Sequence, residues 1–263
     1  QTTVSNSQGA ALLLFDWYGV RRDLQLSLRR QRRMCISDSC RTYHADLKWL
    51  EHSLRSIHKH VTGYRKIVIA IPNASMLSHL TAEAVVQVED LPDGYIGQQF
   101  TKMNAHLYTD ADAVIFWDSD VIACEPVDVS EWVKDGKPII YKTPYERTET
   151  PWKPITEKAV GFPVAYEYMR RMPLVYRTDT LRNACAHVEA THGMTLRHYL
   201  KLCPHRAFSE FNVLGAYAEK YEADKYHFID TETVHMPKNK VDQMWSWSGL
   251  TAEDMKKING YLG

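Results

Sequence analysis

"DAVIFWDSD", residues 112–120, decides how this chain is built. Ala113 through Trp117 form an unbroken apolar run, the pattern of a strand buried on both faces. The run stops at two aspartates one residue apart, Asp118 and Asp120. Carboxylates that close repel each other unless a positive charge sits between them or in front of them. The fold must therefore supply a cation, or bind one, where this strand ends.

Working upstream, "KIVIAIP" (66–72) is a near-continuous β-branched strand, and "EAVVQVE" (83–89) and "MCIS" (34–37) are two more. Between them, 44–61 sets Leu47, Leu50, Leu54, Ile57 and Val61 at helical spacing, and 97–110 does the same with Phe100, Met103 and Leu107. Strands apolar on both faces and alternating with helices predict an α/β fold: a mostly parallel central sheet with helices on both faces. Ligands bind such sheets beyond the carboxyl ends of the strands, where Asp118 and Asp120 lie. Downstream, 137–144 and 173–181 each hold a strand candidate. A helix is predicted over 178–193, capped near Thr178 or Asp179 and stopped by Gly193, and another over 209–221 with Ser209 as N-cap. A strand at 226–230 and a polar segment, 234–250, close the pattern. Residues 142–170, rich in Pro, Tyr and charge, read as a loop that chooses the acceptor.

With 263 residues, 44% of them hydrophobic, the chain can bury one sizeable core. No Pro/Gly-rich linker divides it, so a single domain is expected over 34–263, preceded by an Arg-rich extension over 1–33. That extension, with six arginines in "GVRRDLQLSLRRQRR", reads as a solvated arm or an anion-binding patch. Lys plus Arg (32) equals Asp plus Glu (32), so charge gives no reason for a nucleic-acid partner beyond those arginines. No apolar run reaches the roughly 20 residues that cross a bilayer. Five cysteines without a C-x-x-C pair fit reduced thiols, hence a cytoplasmic chain, with peripheral membrane attachment left open.

Asp-Ser-Asp at a sheet edge offers hard oxygen ligands to Mn²⁺ or Mg²⁺, ions that keep waters and bridge to substrate phosphates. The triplet alone is a weak signal, since aspartates also cap turns. The buried strand in front of it favours the metal reading. No G-x-x-x-x-G-K-[ST] and no G-x-G-x-x-G is present, which counts against phosphoryl or nucleotidyl transfer.

The run "FTKMNAHLYTDADAVIFWDSDVIACEPVDV" resembles the central segment of GT-A-fold glycosyltransferases, above all the glycogenin-like family 8 enzymes. "PLVYRTDTL", "SEFNVLGAY" and "VHMPKNKVDQMW" follow in the order of that family's later blocks. The likeness spans roughly 34–250, with only the D-x-D block specific. It implies Asp118, Asp120 and His235 as metal ligands. It also implies Lys102 at the donor sugar or phosphate, Glu210 beside the reacting sugar, and Lys238 or Lys240 at the leaving diphosphate. Gln98 and Ser119 join the donor pocket in that reading, and Asp38 and Asp46, flanking the first strand–helix loop, reach base or ribose. Trp245 and Trp247 would stack on sugar or base, and Asp179 is a second candidate base. Pro237 and Lys238 stand near the family's glycine and its Lys-Pro-Trp ending is absent, which leaves the choice of lysine open.

The expectation is a metal-dependent glycosyltransferase that moves a sugar from a nucleotide diphosphate sugar, UDP-linked by preference, to a hydroxyl of a glycan or other acceptor. Retention and inversion both stay open. The alternatives are a non-catalytic nucleotide- or carbohydrate-binding module on a decayed transferase fold, and a nucleotidyltransferase.

Overall fold

A computed structural model describes residues 34–42, 44–72, 84–89, 91–246 and 249–263, with backbone only at Asp38, Ser39 and His44. These fall in the unit Cys35–Gly263, apart from Met34. The expected extension over 1–33 and Trp247 lie outside the described residues.

The described chain is mixed α/β. Its main sheet has five strands in the order β11-β5-β1-β3-β4: β1 (Ile36–Arg41), β3 (Ile67–Pro72), β4 (Ala84–Val88), β5 (Ala113–Phe116) and β11 (Leu174–Arg177). The pairings β1·β3, β1·β5 and β3·β4 are parallel; β11 runs antiparallel to β5. β3 and β5 are buried along their whole length, as their unbroken apolar runs require. From β1 the chain passes through α1 (Leu47–His60) and a two-residue strand, β2 (Val61–Thr62), to β3 and β4. It then returns through α2 (Gly94–Met103) to β5 on the other side of β1. The winding reverses between β1 and β5, and a crevice at the carboxyl ends of these two strands is the expected binding place in an open α/β sheet.

β5 stops at Phe116, earlier than the predicted 112–120, because the next residues are held in a turn. Val121 N donates to Asp118 O at 3.1 Å, and the Trp117 indole N–H reaches both Ser53 Oγ (3.0 Å) and Val121 O (2.9 Å). β6 (Val121–Ala123) follows and pairs with β13 (Val241–Gln243). Two serines of α1, buried although the spacing of its leucines gave no sign of it, fasten this piece. Ser53 Oγ donates to Val121 O at 2.7 Å, and Ser56 Oγ accepts from Ala123 N at 2.9 Å.

The stretch 142–170, expected to be an open loop, is largely built into the fold. It holds the end of β9 (Lys137–Pro144), α3 (Lys153–Val160) and β10 (Tyr166–Glu167), and buries Tyr145, Val160, Val164 and Tyr168. α4 (Thr178–His192) ends at Gly193 with φ 61°, the left-handed stop anticipated from the sequence. After α5 (Leu196–Leu202), α6 (Glu210–Tyr221) packs against the sheet through Phe211. That ring lies 5.3 Å from Phe116 and stacks on Tyr176 with centroids 6.2 Å apart. β12 (His227–Asp230) runs parallel to β9, and α7 (Ala252–Leu262) closes a small core of Trp49, Ile122, Met244 and Ile258. Among the described residues no helix is long and apolar enough to cross a membrane.

Candidate functional site

The cation demanded by the aspartate pair is a lysine of the chain itself. Lys102, at the end of α2, lies 2.7 Å from Asp118 Oδ1 and 3.1 Å from Glu210 Oε1. Its side chain is only 7% exposed and that of Glu210 only 3%. The three residues come from α2, the turn after β5, and the first turn of α6, so only the tertiary fold joins them. The Lys102 ammonium also sits 4.8 Å from the centre of the Phe211 ring, a cation–π contact that α6 supplies together with Glu210.

Burial alone would pull the Lys102 ammonium toward neutrality, but Asp118 and then Glu210 outweigh it and hold the pKa above the ordinary lysine range. Burial pushes the Glu210 carboxyl up; Lys102 draws it back and Asp118 adds to the rise. Asp120 is raised by burial and next by the charge of Asp118, while the backbone N–H of Ser246 resists. With every acid ionised, Asp118 and Glu210 face the Lys102 ammonium and Asp120 lies beside Asp118, an excess of two negative charges. The buried Asp118 Oδ1 meets the Lys102 ammonium at 2.7 Å and has no other donor among the described residues. Asp118 and Asp120, two hard oxygen donors in an acidic excess, are the residues that could hold a divalent ion. Among the described residues no group of three or more His, Cys, Asp or Glu side chains is arranged to hold a metal.

The polar segment near the C-terminus does come back to this place. β13 pairs with β6, Met244 N donates to Asp120 O at 2.9 Å, and Ser246 N donates to Asp120 Oδ2 at 2.7 Å. Between these anchors Trp245 takes φ 61° and is 56% exposed. Ser119 is buried in the turn between the two aspartates.

Other expected site residues are placed elsewhere. Asp179 follows Arg177, which pairs with Ala113 at the start of β5, so it sits at the opposite edge of the sheet from Asp118. Burial raises its carboxyl, but Arg177 and Lys225 outweigh that and hold it below the usual range, which makes it a weak base. Asp38 is mid-strand in β1, opposite Ile67 and Ile115, rather than in the loop that follows. Asp46 stands just before α1 in that loop. His235 is exposed in coil and belongs to no metal-holding group among the described residues. Lys238 pairs with Glu125, and Lys240 with Glu131 at 2.8 Å. Both lie at the far end of β6 from Asp120, since Lys240 O accepts from Cys124 N.

Two residues were missed. Gln98 is half-buried, and its neighbour Gln99 is the one that matters: Gln99 Oε1 accepts the backbone N–H of Glu210 at 3.0 Å, with Gln99 4% exposed. Gln99 and Lys102 are one helical turn apart on α2, so one face grips Glu210 by backbone and by carboxylate. The i, i+3 spacing was visible in the sequence, but no partner was. Arg41, at the carboxyl end of β1, is buried, and a methyl group at Gly97 of α2 would lie 3.5 Å from its Nη2. It borders the crevice from the β1 side, and nothing in its local sequence marked it.

A family model described as a family of unknown function, DUF6492, matches residues 43–259. No curated protein matches the chain.

Proposed function

We propose, for a chain that belongs to the DUF6492 family, whose function is unknown, that it is a metal-dependent glycosyltransferase with a GT-A-like layout. The observation that carries this reading is the Asp118–Lys102–Glu210 ion-pair chain, with Asp120 beside it, where β5 ends at the reversal of the sheet. It joins two of the four segments whose sequences resemble the family 8 transferases, and β13 brings another to Asp120.

Asp118 and Asp120 would hold Mn²⁺ or Mg²⁺, which would offset the charge of a nucleoside diphosphate, UDP by preference, and of its departure. Lys102 pairs with Asp118 at 2.7 Å and with Glu210 at 3.1 Å and so orients both carboxylates. The Trp245 indole offers a flat face for the sugar or base at the rim. Glu210, its backbone N–H bound by Gln99, would take the acceptor proton or face a cationic sugar. Asp179, at the opposite edge of the sheet, has no part in this reading.

A second reading, nucleotide or carbohydrate binding without transfer, is favoured by how tightly Glu210 is paired and buried. Two measurements separate the readings. Thermal unfolding with UDP, GDP, dTDP and CMP, each with Mn²⁺ and again with EDTA, should show a rise of several degrees with one nucleotide only when the metal is present. Ligand at about 100 times its Kd adds roughly 2.7 kcal/mol. Absence of any such rise defeats the transferase reading and nucleotide binding alike, and leaves only carbohydrate binding. Given a positive nucleotide, Glu210→Gln should keep that rise and lower release of sugar from the donor by about 10²-fold or more. Binding with no turnover in the unaltered chain favours the second reading.

A further inference from the structure

Asp118, Asp120 and Glu210 share one cluster, yet among the described residues no three His, Cys, Asp or Glu side chains are arranged to hold a metal. Lys102 accounts for the difference. Its ammonium lies 2.7 Å from Asp118 Oδ1 and 3.1 Å from Glu210 Oε1, and so takes the place of a cation that would serve both. The Phe211 ring, with its centre 4.8 Å from the ammonium, packs against a further side.

Burial decides which of these acids an ion from solvent reaches. Side-chain exposure falls from 17% at Asp118 to 7% at Lys102 and 3% at Glu210. Glu210 is therefore the least accessible of the three, and its Oε1 is already engaged by the ammonium. Burial works against the charge on Lys102, but Asp118 and then Glu210 outweigh it. The lysine thus stays in place as a cation near neutral pH.

We infer that Lys102 is a resident cation that denies Glu210 to the metal and limits the chain's own metal donors to Asp118 and Asp120. The inference rests on the metal site of the transferase reading above. A positive charge beside those two carboxylates weakens their hold on a divalent ion. Ions of this kind bound by one or two carboxylates complete their shell with waters and substrate phosphates. Weak holding by the chain alone therefore ties metal binding to arrival of the diphosphate, each strengthening the other. It also leaves Glu210 unligated for the reacting sugar.

The test is titration of the full chain with Mn²⁺ in the absence of nucleotide, with the free ion read by electron paramagnetic resonance and the unfolding midpoint followed alongside. The parent should bind weakly, and Asp120→Ala should abolish that binding. Lys102→Met should bind about tenfold more tightly or better, since it removes one positive charge and frees two carboxylates. Its midpoint should also rise further with Mn²⁺ than that of the parent. Lys102→Arg, which keeps the charge, should bind as the parent does. A lysine that only braced the fold would give the opposite result, weaker metal binding on its removal. Should Lys102→Met fail to fold, Lys102→Gln, neutral and still able to donate to an acid, gives the same comparison. Adding Glu210→Gln to the neutral variant should take the gain away, because Glu210 is the ligand that was freed. No gain in a folded neutral variant, or a gain that Glu210→Gln leaves undiminished, overturns the inference. Asp120-dependent binding in the parent without that gain would leave the metal site of the transferase reading standing while this inference fell. No Mn²⁺ binding in the parent or in any variant would remove both.

Discussion

Lys102 serves two acids at once, and its removal strands both. Breaking a buried ion pair by deleting one partner costs about 3–5 kcal/mol, because the remaining charge stays buried without compensation. Lys102→Met should show that loss by denaturant unfolding, and adding Glu210→Gln should recover part of it by removing one stranded charge. A Lys102→Met variant as stable as the parent would mean that the acids are solvated and the cluster open. Asp120 gives a test in pH. Burial and Asp118 raise its folded pKa above the unfolded value of about 3.9. The folded state therefore holds this proton more tightly, and the stability it contributes is present below the unfolded pKa and lost as pH rises through the folded value. In EDTA, Asp120→Asn should remove that part of the decline, so its unfolding midpoint should gain on the parent as pH rises from about 4 toward neutrality. Parallel curves would show that Asp120 titrates normally.

At the scale of elements, the site depends on how α1 and α2 hold the short pieces around β5. Ser56 accepts the N–H of Ala123 in a buried position. Ser56→Ala leaves that donor without a partner and should cost about 1–3 kcal/mol, read from the denaturant midpoint. No change would mean that Ala123 N finds another acceptor when β6 shifts. α6 is set by a close approach: a methyl at Gly215 would lie 2.2 Å from Tyr168 Cγ. Gly215→Ala must push α6 away from β10, at a cost of about 1–3 kcal/mol or more, and should also disturb Glu210 at the head of that helix. A variant with unaltered stability would mean that the backbone at Tyr168 or at Gly215 shifts without cost, since the Tyr168 Cβ itself would lie 2.5 Å from the new methyl. Here glycine is required for space, since its φ is ordinary.

For the molecule as a whole, net charge is zero while the cluster at the end of β5 carries an excess of two negative charges when ionised. Attraction for a divalent cation is therefore local. Mn²⁺ alone should raise the unfolding midpoint of the parent and leave that of Asp120→Asn nearly unmoved. An equal rise in both would send the ion elsewhere on the chain.

Periodicity and chemistry made much of this legible in the sequence. The buried strand before Asp118, the β-branched run of β3, the Gly193 stop and the helix beginning at Glu210 all follow from local pattern, because burial on two faces and left-handed backbone each restrict residue type. Local pattern does not carry contacts between residues far apart in the chain. It could not tell that β11 runs antiparallel, which sends Asp179 to the wrong edge, nor that β1 continues past Asp38. It left 142–170 as a loop because α3 and β10 are short and gain their stability from packing. Above all it posed the question of the cation without answering it. A lysine sixteen positions before Asp118 and a glutamate far beyond it meet only when α2 and α6 pack on the same end of the sheet.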